Sequence, residues 1–136
     1  MYLADTSLWH RQARPEVADR WEAEVTAGNV ATTPPVRLEI LYSARSAREY
    51  AALDDELDGL VQLRCGEEAF RRALGVQRAL AGKGGLHHRS VGLSDLVIAA
   101  AAELGGATVW HYDEDFDRIA EVTGQPTEWA VPRGKV

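Results

Sequence analysis

The sequence predicts an α/β domain built on a mostly parallel sheet. Short apolar runs alternate with longer stretches of helical periodicity along the whole chain. Proline and glycine punctuate the boundaries between them. One late helix is apolar nearly all round, the pattern of a helix buried inside a layered fold. The 136 residues suit a single domain over 1–136 with a core of its own, and no tract is long enough to serve as a linker.

In chain order, residues 2–5 read as a short buried strand. Residues 16–27 place Val17, Ala18, Trp21 and Val25 on one helical face, with Pro15 at the first turn and Gly28 just past the end. "NVATT" (29–33) has strand character and runs into Pro34-Pro35, which open a helix over about 36–44 with Thr33 as its cap. A second helix over about 46–58 carries Tyr50, Leu53 and Leu57 at core spacing, and "LVQLR" (60–64) reads as a short strand. Residues 67–81 form a helix with Phe70, Ala73, Leu74, Gln77 and Ala81 on one side, and "GKGG" (82–85) is a loop. "LSDLVIAAAAEL" (93–104) is the apolar helix, ended by Gly105-Gly106. "ATVWHY" (107–112) is a strand, 113–122 a short helix with its approach, and "TEWAV" (127–131) a last strand.

Composition excludes several classes. A net charge of -6 argues against broad, non-specific nucleic-acid binding, which relies on counterion release by basic side chains. Only Lys83 and Lys135 among the 15 basic residues are lysines, so the cations are almost all arginine, suited to bidentate phosphate contact. The single cysteine, Cys65, permits no internal disulfide, suits the cytoplasm and reads as a small buried hydrophobe. No run approaches the length of a membrane span, and the N-terminus has no signal pattern.

In open parallel sheets, ligands bind at the carboxyl ends of the strands, where strand order reverses. Four acidic loci map to that edge: Asp5 at the end of the first strand, Glu39 one turn into the helix after the second, Asp95 in the first turn of the apolar helix with Ser94 as its cap, and Asp113 and Asp115 after the 107–112 strand. Each has an ordinary structural role open to it, as a cap, a dipole complement or a solvated turn. Crowded carboxylates repel unless a cation or protons neutralise them. Oxygen ligands without cysteine or histidine suit Mg²⁺ or Mn²⁺.

"ADTS", a helical Glu after the second strand, "LSDLVIAAAAEL" and "HYDEDFDRIA" together resemble the PIN-domain ribonucleases, specifically the VapC-type toxins of bacterial toxin–antitoxin pairs. The resemblance covers nearly the whole chain. It implies a PIN-like three-layer α/β/α sandwich and a cytoplasmic endoribonuclease. The acids at Asp5, Glu39, Asp95, Asp113 and Asp115 would gather around one or two Mg²⁺ or Mn²⁺ ions, with metal-activated water cutting RNA to leave a 5′-phosphate. Whether Asp113 or Asp115 binds more directly stays open. Thr6 and Ser7 supply hydroxyls beside the first acid, and are assigned with Arg11 and Arg89 to substrate binding; Arg14 and Arg45 are further candidates for the RNA path. The resemblance also implies a VapB-type antitoxin as partner, laying a tail near Leu41, Tyr42, Leu53 and Leu57, and a homodimer, for which Trp9, Trp21 and Tyr50 are interface candidates.

A response-regulator receiver domain fits less well, because the first strand ends in one acid and no lysine closes a late strand. A haloacid-dehalogenase-type phosphatase would want Asp-x-Asp where Asp5-Thr6-Ser7 stands. His87-His88 read as a polar loop, and His10 and His111 as locally hydrogen-bonded. A catalytically inactive PIN-like interaction module, or another Mg-dependent phosphoryl-transfer α/β domain, are the competing functions.

Overall fold

The computed structural model describes residues 1–136. Five strands, β1 (Tyr2–Ala4), β2 (Val30–Thr32), β3 (Val61–Gln62), β4 (Thr108–His111) and β5 (Thr127–Trp129), form one sheet in the order β3-β2-β1-β4-β5. Every pairing is parallel. The chain winds outward from β1 through β2 to β3, then crosses back to β4 and β5 on the other side of β1. Strand order therefore reverses between β1 and β4.

Seven helices supply the connections: α1 (Thr6–Trp9), α2 (Pro15–Thr26), α3 (Pro34–Tyr42), α4 (Ala47–Asp58), α5 (Glu67–Gly82), α6 (Leu93–Leu104) and α7 (Asp115–Thr123). Side chains alternate faces along each strand. Leu3, Ala31 and Val109 enter a large core beneath α3, α5, α6 and α7. Their neighbours Ala4, Val30 and Trp110 enter a smaller core on the opposite face, with Leu8 of α1 and Val17 of α2. Two cores on the two faces of one sheet make the three-layer sandwich that the resemblance implied. Four adjacent alanines of α6, Ala99–Ala102, are all buried, and their small side chains let neighbouring elements approach this helix closely. No helix is long and apolar enough to cross a membrane.

The cap role open to Asp5, for a segment beginning at Ser7, is realised: α1 is one short turn capped by Asp5 and starts one residue earlier, at Thr6. Several expectations are corrected. Helix α3 starts at Pro34 rather than 36, and Thr33 stands at its N-cap position without a side-chain capping bond. The Thr33 hydroxyl instead donates to the Leu63 carbonyl (3.1 Å), tying the end of β2 to the segment after β3. Ser94 is not the cap of α6, which belongs to Gly92. His87–Arg89 form a 3-10 turn rather than irregular loop.

The buried face of α5 is Ala69, Ala73, Val76 and Leu80. Phe70 (54% exposed) and Leu74 (65%) are turned outward, one position from the predicted stripe. The helix packs its smaller residues against α6, and Phe70 lines a shallow apolar groove with Leu38, Leu93 and Val97. Leu41 and Leu57 are core residues, so neither is free to receive a partner's tail. Trp9 is buried and meets Trp21 edge-on at 5.9 Å, which accounts for both within the fold. Cys65 packs partly buried against the core, and burial pushes its thiol pKa up.

Candidate metal centre

The β1 ladder runs one residue past the strand, because the Asp5 N–H donates to the Trp110 carbonyl (2.9 Å). Asp5 is thereby fixed at the carboxyl edge, beside the point of strand reversal. Its backbone is extended and its carboxylate caps α1: Oδ2 accepts from the Ser7 N–H (2.9 Å) and the Ser7 hydroxyl (2.6 Å). The same Ser7 oxygen accepts from the Tyr112 N–H (2.8 Å). One serine therefore links the ends of β1 and β4. Asp5 is 3% exposed, and its Oδ1 is buried with no hydrogen-bond partner. A buried carboxylate oxygen with no donor is costly.

Glu39 projects from α3 and is held by two hydroxyls, Thr6 on Oε1 (2.9 Å) and Ser94 on Oε2 (3.3 Å). Thr6 and Ser7, expected to touch substrate, both spend their hydroxyls on acids. Asp95 of α6, Asp113 and Asp115 bring carboxylate oxygens within 4.8 Å of one another, a group able to hold a metal ion. The β4–α7 turn is organised by its own acids. Asp113 Oδ1 accepts from the Asp115 N–H (2.9 Å), and buried Phe116 anchors the start of α7 in the main core. The two oxygens of Asp115 are both engaged: Oδ1 by Arg118 (2.9 Å) and Oδ2 by the Gly92 N–H (3.0 Å). Gly92 lies close against the acids: a Cβ there would stand 3.1 Å from Asp95 Oδ2, tight enough to displace that carboxylate slightly.

The electrostatics follow from this crowding. Burial pushes the Asp5 carboxyl up to about 6; the Ser7 hydrogen bonds oppose this, and the Glu39 charge adds to it. Burial pushes Asp95 up to about 9, helped by a hydrogen bond with Asp115 and by the charges of Asp5, Asp113 and Asp115. Without a cation these groups hold protons that isolated aspartates would release. Four aspartates and a glutamate, all-oxygen donors with one orphaned buried oxygen, fit a hard divalent ion. The structure thus gathers every predicted acid at one edge.

The predicted cations fare differently. Arg11 donates to the Ser7 carbonyl (2.8 Å) and lies over the Tyr112 ring at 4.3 Å, at the rim of the acids and without a carboxylate partner among its hydrogen bonds. Arg89 and Arg14 are exposed, and Arg45 pairs with Glu49 on its own surface. His111 is buried, and its Nδ1 accepts from the Asp113 N–H (3.1 Å), as local hydrogen bonding predicted. Burial pulls its pKa down to about 4, against the charge of Asp117. His10 is exposed. Sequence reasoning passed over Arg118 and Tyr112. Arg118 follows Glu114 and Asp115 at helical pairing distance, a signal visible in "EDFDR". The role of Tyr112 arises only from contacts distant in sequence.

Comparison with known proteins agrees with this geometry. Residues 2–122 match the family model of the PIN domain. The chain is 62% identical over 134 residues to ribonuclease VapC18 of Mycobacterium tuberculosis, covering 98% of each. It is 44% identical to ribonuclease VapC51 of the same species, covering 99% of this chain and 96% of that one. Among solved structures, a chain of the DNA-bound VapBC complex from Salmonella typhimurium has the same fold, with a TM-score of 0.75 at 22% identity, covering 96% of this chain and 98% of that one. The chain belongs to the PIN-domain family and, within it, to the VapC ribonucleases.

Proposed function

We propose that this chain, as a single PIN-like domain over 1–136, is a divalent-metal-dependent endoribonuclease acting in the cytoplasm as the toxin of a toxin–antitoxin pair. The observation that carries the reading is the buried, unpartnered Oδ1 of Asp5 beside the Asp95, Asp113 and Asp115 group. Asp5, Asp95 and Asp113 would hold one or two Mg²⁺ or Mn²⁺ ions, with Glu39 and Asp115 acting through water. Asp113 is favoured over Asp115 as the closer ligand because only one of its oxygens accepts a hydrogen bond, whereas protein donors engage both oxygens of Asp115. Such an ion, when bound, supplies an activated water at neutral pH and charge relief on the phosphoryl oxygens.

The chain's own residues do the rest. Ser7 and Thr6 fix the Asp5 and Glu39 carboxylates, so little reorganisation is needed as charge develops. Asp5 and Asp95 would hold the cation as carboxylates, and Asp95, with its carboxyl pushed up to about 9, would give up a proton to do so at neutral pH. Arg11, stacked on Tyr112 beside the acids, offers its remaining N–H groups to an RNA phosphate. Arg89 is a second, outlying contact. A VapB-type antitoxin would act as partner by placing a guanidinium among the same carboxylates, and a second copy of the chain would complete a homodimer.

The test is cleavage of a structured RNA by the purified chain. Activity should vanish with a chelator and return with Mg²⁺ or Mn²⁺. Cleavage that survives complete chelation would rule the reading out.

A further inference from the structure

We infer that Arg118 is a positioning residue of the acid cluster, and that the C-terminal segment acts on the cluster through it. This rests on the metal-dependent reading above and names how the same site is held in shape.

The guanidinium of Arg118 bridges two acids of different standing. Nη1 donates to Asp115 Oδ1 (2.9 Å) and to the Ser90 carbonyl (3.4 Å), while Nη2 donates to Glu114 Oε1 (2.8 Å). Glu114 is not part of the 4.8 Å group; Asp115 is. The other oxygen of Glu114 accepts from Arg133 at 2.6 Å. The chain of contacts is therefore Arg133, Glu114, Arg118, Asp115, and then the metal group. It runs from beyond residue 122, where the family match ends, to the centre of the site.

The same segment grips the neighbouring turn. Ala130 N–H donates to the His111 carbonyl (2.7 Å). Trp129 Nε1 donates to Asp117 Oδ2 (3.1 Å), and the Gly134 N–H donates to the Tyr112 hydroxyl (2.6 Å). Tyr112 immediately precedes Asp113, and Arg11 lies on its ring. Residues outside the matched domain thus brace the β4–α7 turn that carries both of its acids.

Two roles for Arg118 predict opposite signs. As a bare positive charge it repels a dication, so its removal would tighten metal binding. As a planar fork it orients the Asp115 carboxylate and keeps the turn closed, so its removal loosens the site. Three geometric partners on one guanidinium favour the fork. Lysine keeps the charge and lacks the fork.

The experiment titrates Mn²⁺ into the purified full chain by calorimetry, with melting curves, for wild type, Arg118→Ala, Arg118→Lys, Arg133→Ala and the Arg118→Ala/Arg133→Ala double variant. Arg118→Ala should weaken Mn²⁺ binding about tenfold, the low end for loss of an outer-sphere partner. Arg118→Lys should weaken it nearly as much. Arg133→Ala, at an exposed pair, should weaken it about twofold, and the double variant should be no weaker than Arg118→Ala alone. Wild-type or tighter binding by Arg118→Ala overturns the inference. Should that variant fail to fold, wild-type affinity in Arg118→Lys overturns it equally. Additive losses in the double variant remove the C-terminal link. A wild-type chain that binds no Mn²⁺ is a different failure, because it removes the metal-dependent reading itself.

Discussion

Two groups of acids in this molecule are built in opposite ways. On α4, Asp54 and Asp58 converge on one guanidinium: Arg37 of α3 reaches Asp58 Oδ1 at 2.8 Å and Asp54 Oδ1 at 2.5 Å, and also donates to Gln62 (2.9 Å). Their charge is neutralised by the protein, at the surface, with side chains 43% and 63% exposed. At the carboxyl edge of β1 and β4, Asp5, Asp95 and Asp113 gather without a guanidinium on any of them, and of the clustered acids Arg118 touches only Asp115. The first group holds helices together and needs nothing further. The second is left electrostatically unbalanced by the fold, and burial raises the balance point of Asp5 and Asp95. On the proposed reading, the difference separates a structural acid from one kept for a ligand. Residue type is the same in both; what differs is whether the cation was supplied in the chain.

The largest test of that contrast is Asp5→Asn. It should lower RNA cleavage more than about a hundredfold, beyond the cost of losing an outer-sphere partner. In metal-free buffer near pH 7.5 it should also stabilise the fold, by up to about 3 kcal/mol, because the ionised carboxylate is buried at a cost its amide does not carry. Kinetics and thermal melts read both effects. A folded Asp5→Asn protein that cleaves normally would place this acid with the structural group.

Next in size is the pH dependence of melting without metal. The folded-state pKa values of Asp5 and Asp95 are raised, to about 6 and about 9, so the folded protein holds protons that the unfolded chain releases above the ordinary aspartate value of 3.8. Their contribution to stability is present at low pH and is lost as pH rises, through 6 for Asp5 and through 9 for Asp95. His111 has the opposite sign. Its folded pKa is lowered to about 4, so stability grows between there and the usual 6.5. The effects offset one another below 6.5, and above it the decline due to Asp95 stands alone. The melting temperature should fall between pH 6.5 and 9 and become nearly flat with saturating Mn²⁺. A flat profile without metal would mean that the acids are not coupled in solution.

Arg37→Ala attacks the structural group. It leaves two acids and Gln62 without their donor, and should cost about 1–2 kcal/mol, limited by solvent screening. Mn²⁺ affinity should not change. The smallest effect is Asp58→Asn, within about 0.5 kcal/mol, because the pair is exposed and Asp54 still engages Arg37. A clear loss of RNA cleavage in either variant would join the two groups that the structure keeps apart.

Much of this was legible before the fold was known. Short apolar runs located the strands, and period-3.6 patterns located six of the seven helices. Local punctuation placed their ends within a few residues, since proline at a helix start and glycine past its end act through the backbone alone. Helix α1 was legible only through the cap role open to Asp5, because four residues carry too little periodicity to give a helix its bounds. The outward turn of Phe70 and Leu74 was missed because two adjacent stripes of α5 are both partly apolar, and contact with α6 chose the one with smaller side chains.

The sequence by itself determined which acids stand at strand ends and helix starts, because strand, turn and cap are decided within a few residues. Only the tertiary structure decided that they meet. The crossing from β3 to β4 puts residues more than a hundred positions apart side by side, as Ser7 and Tyr112 are. Tertiary contact also decided which acids received an arginine and which did not. Desolvation and ion pairing depend on what the folded chain brings near, and no local pattern contains that.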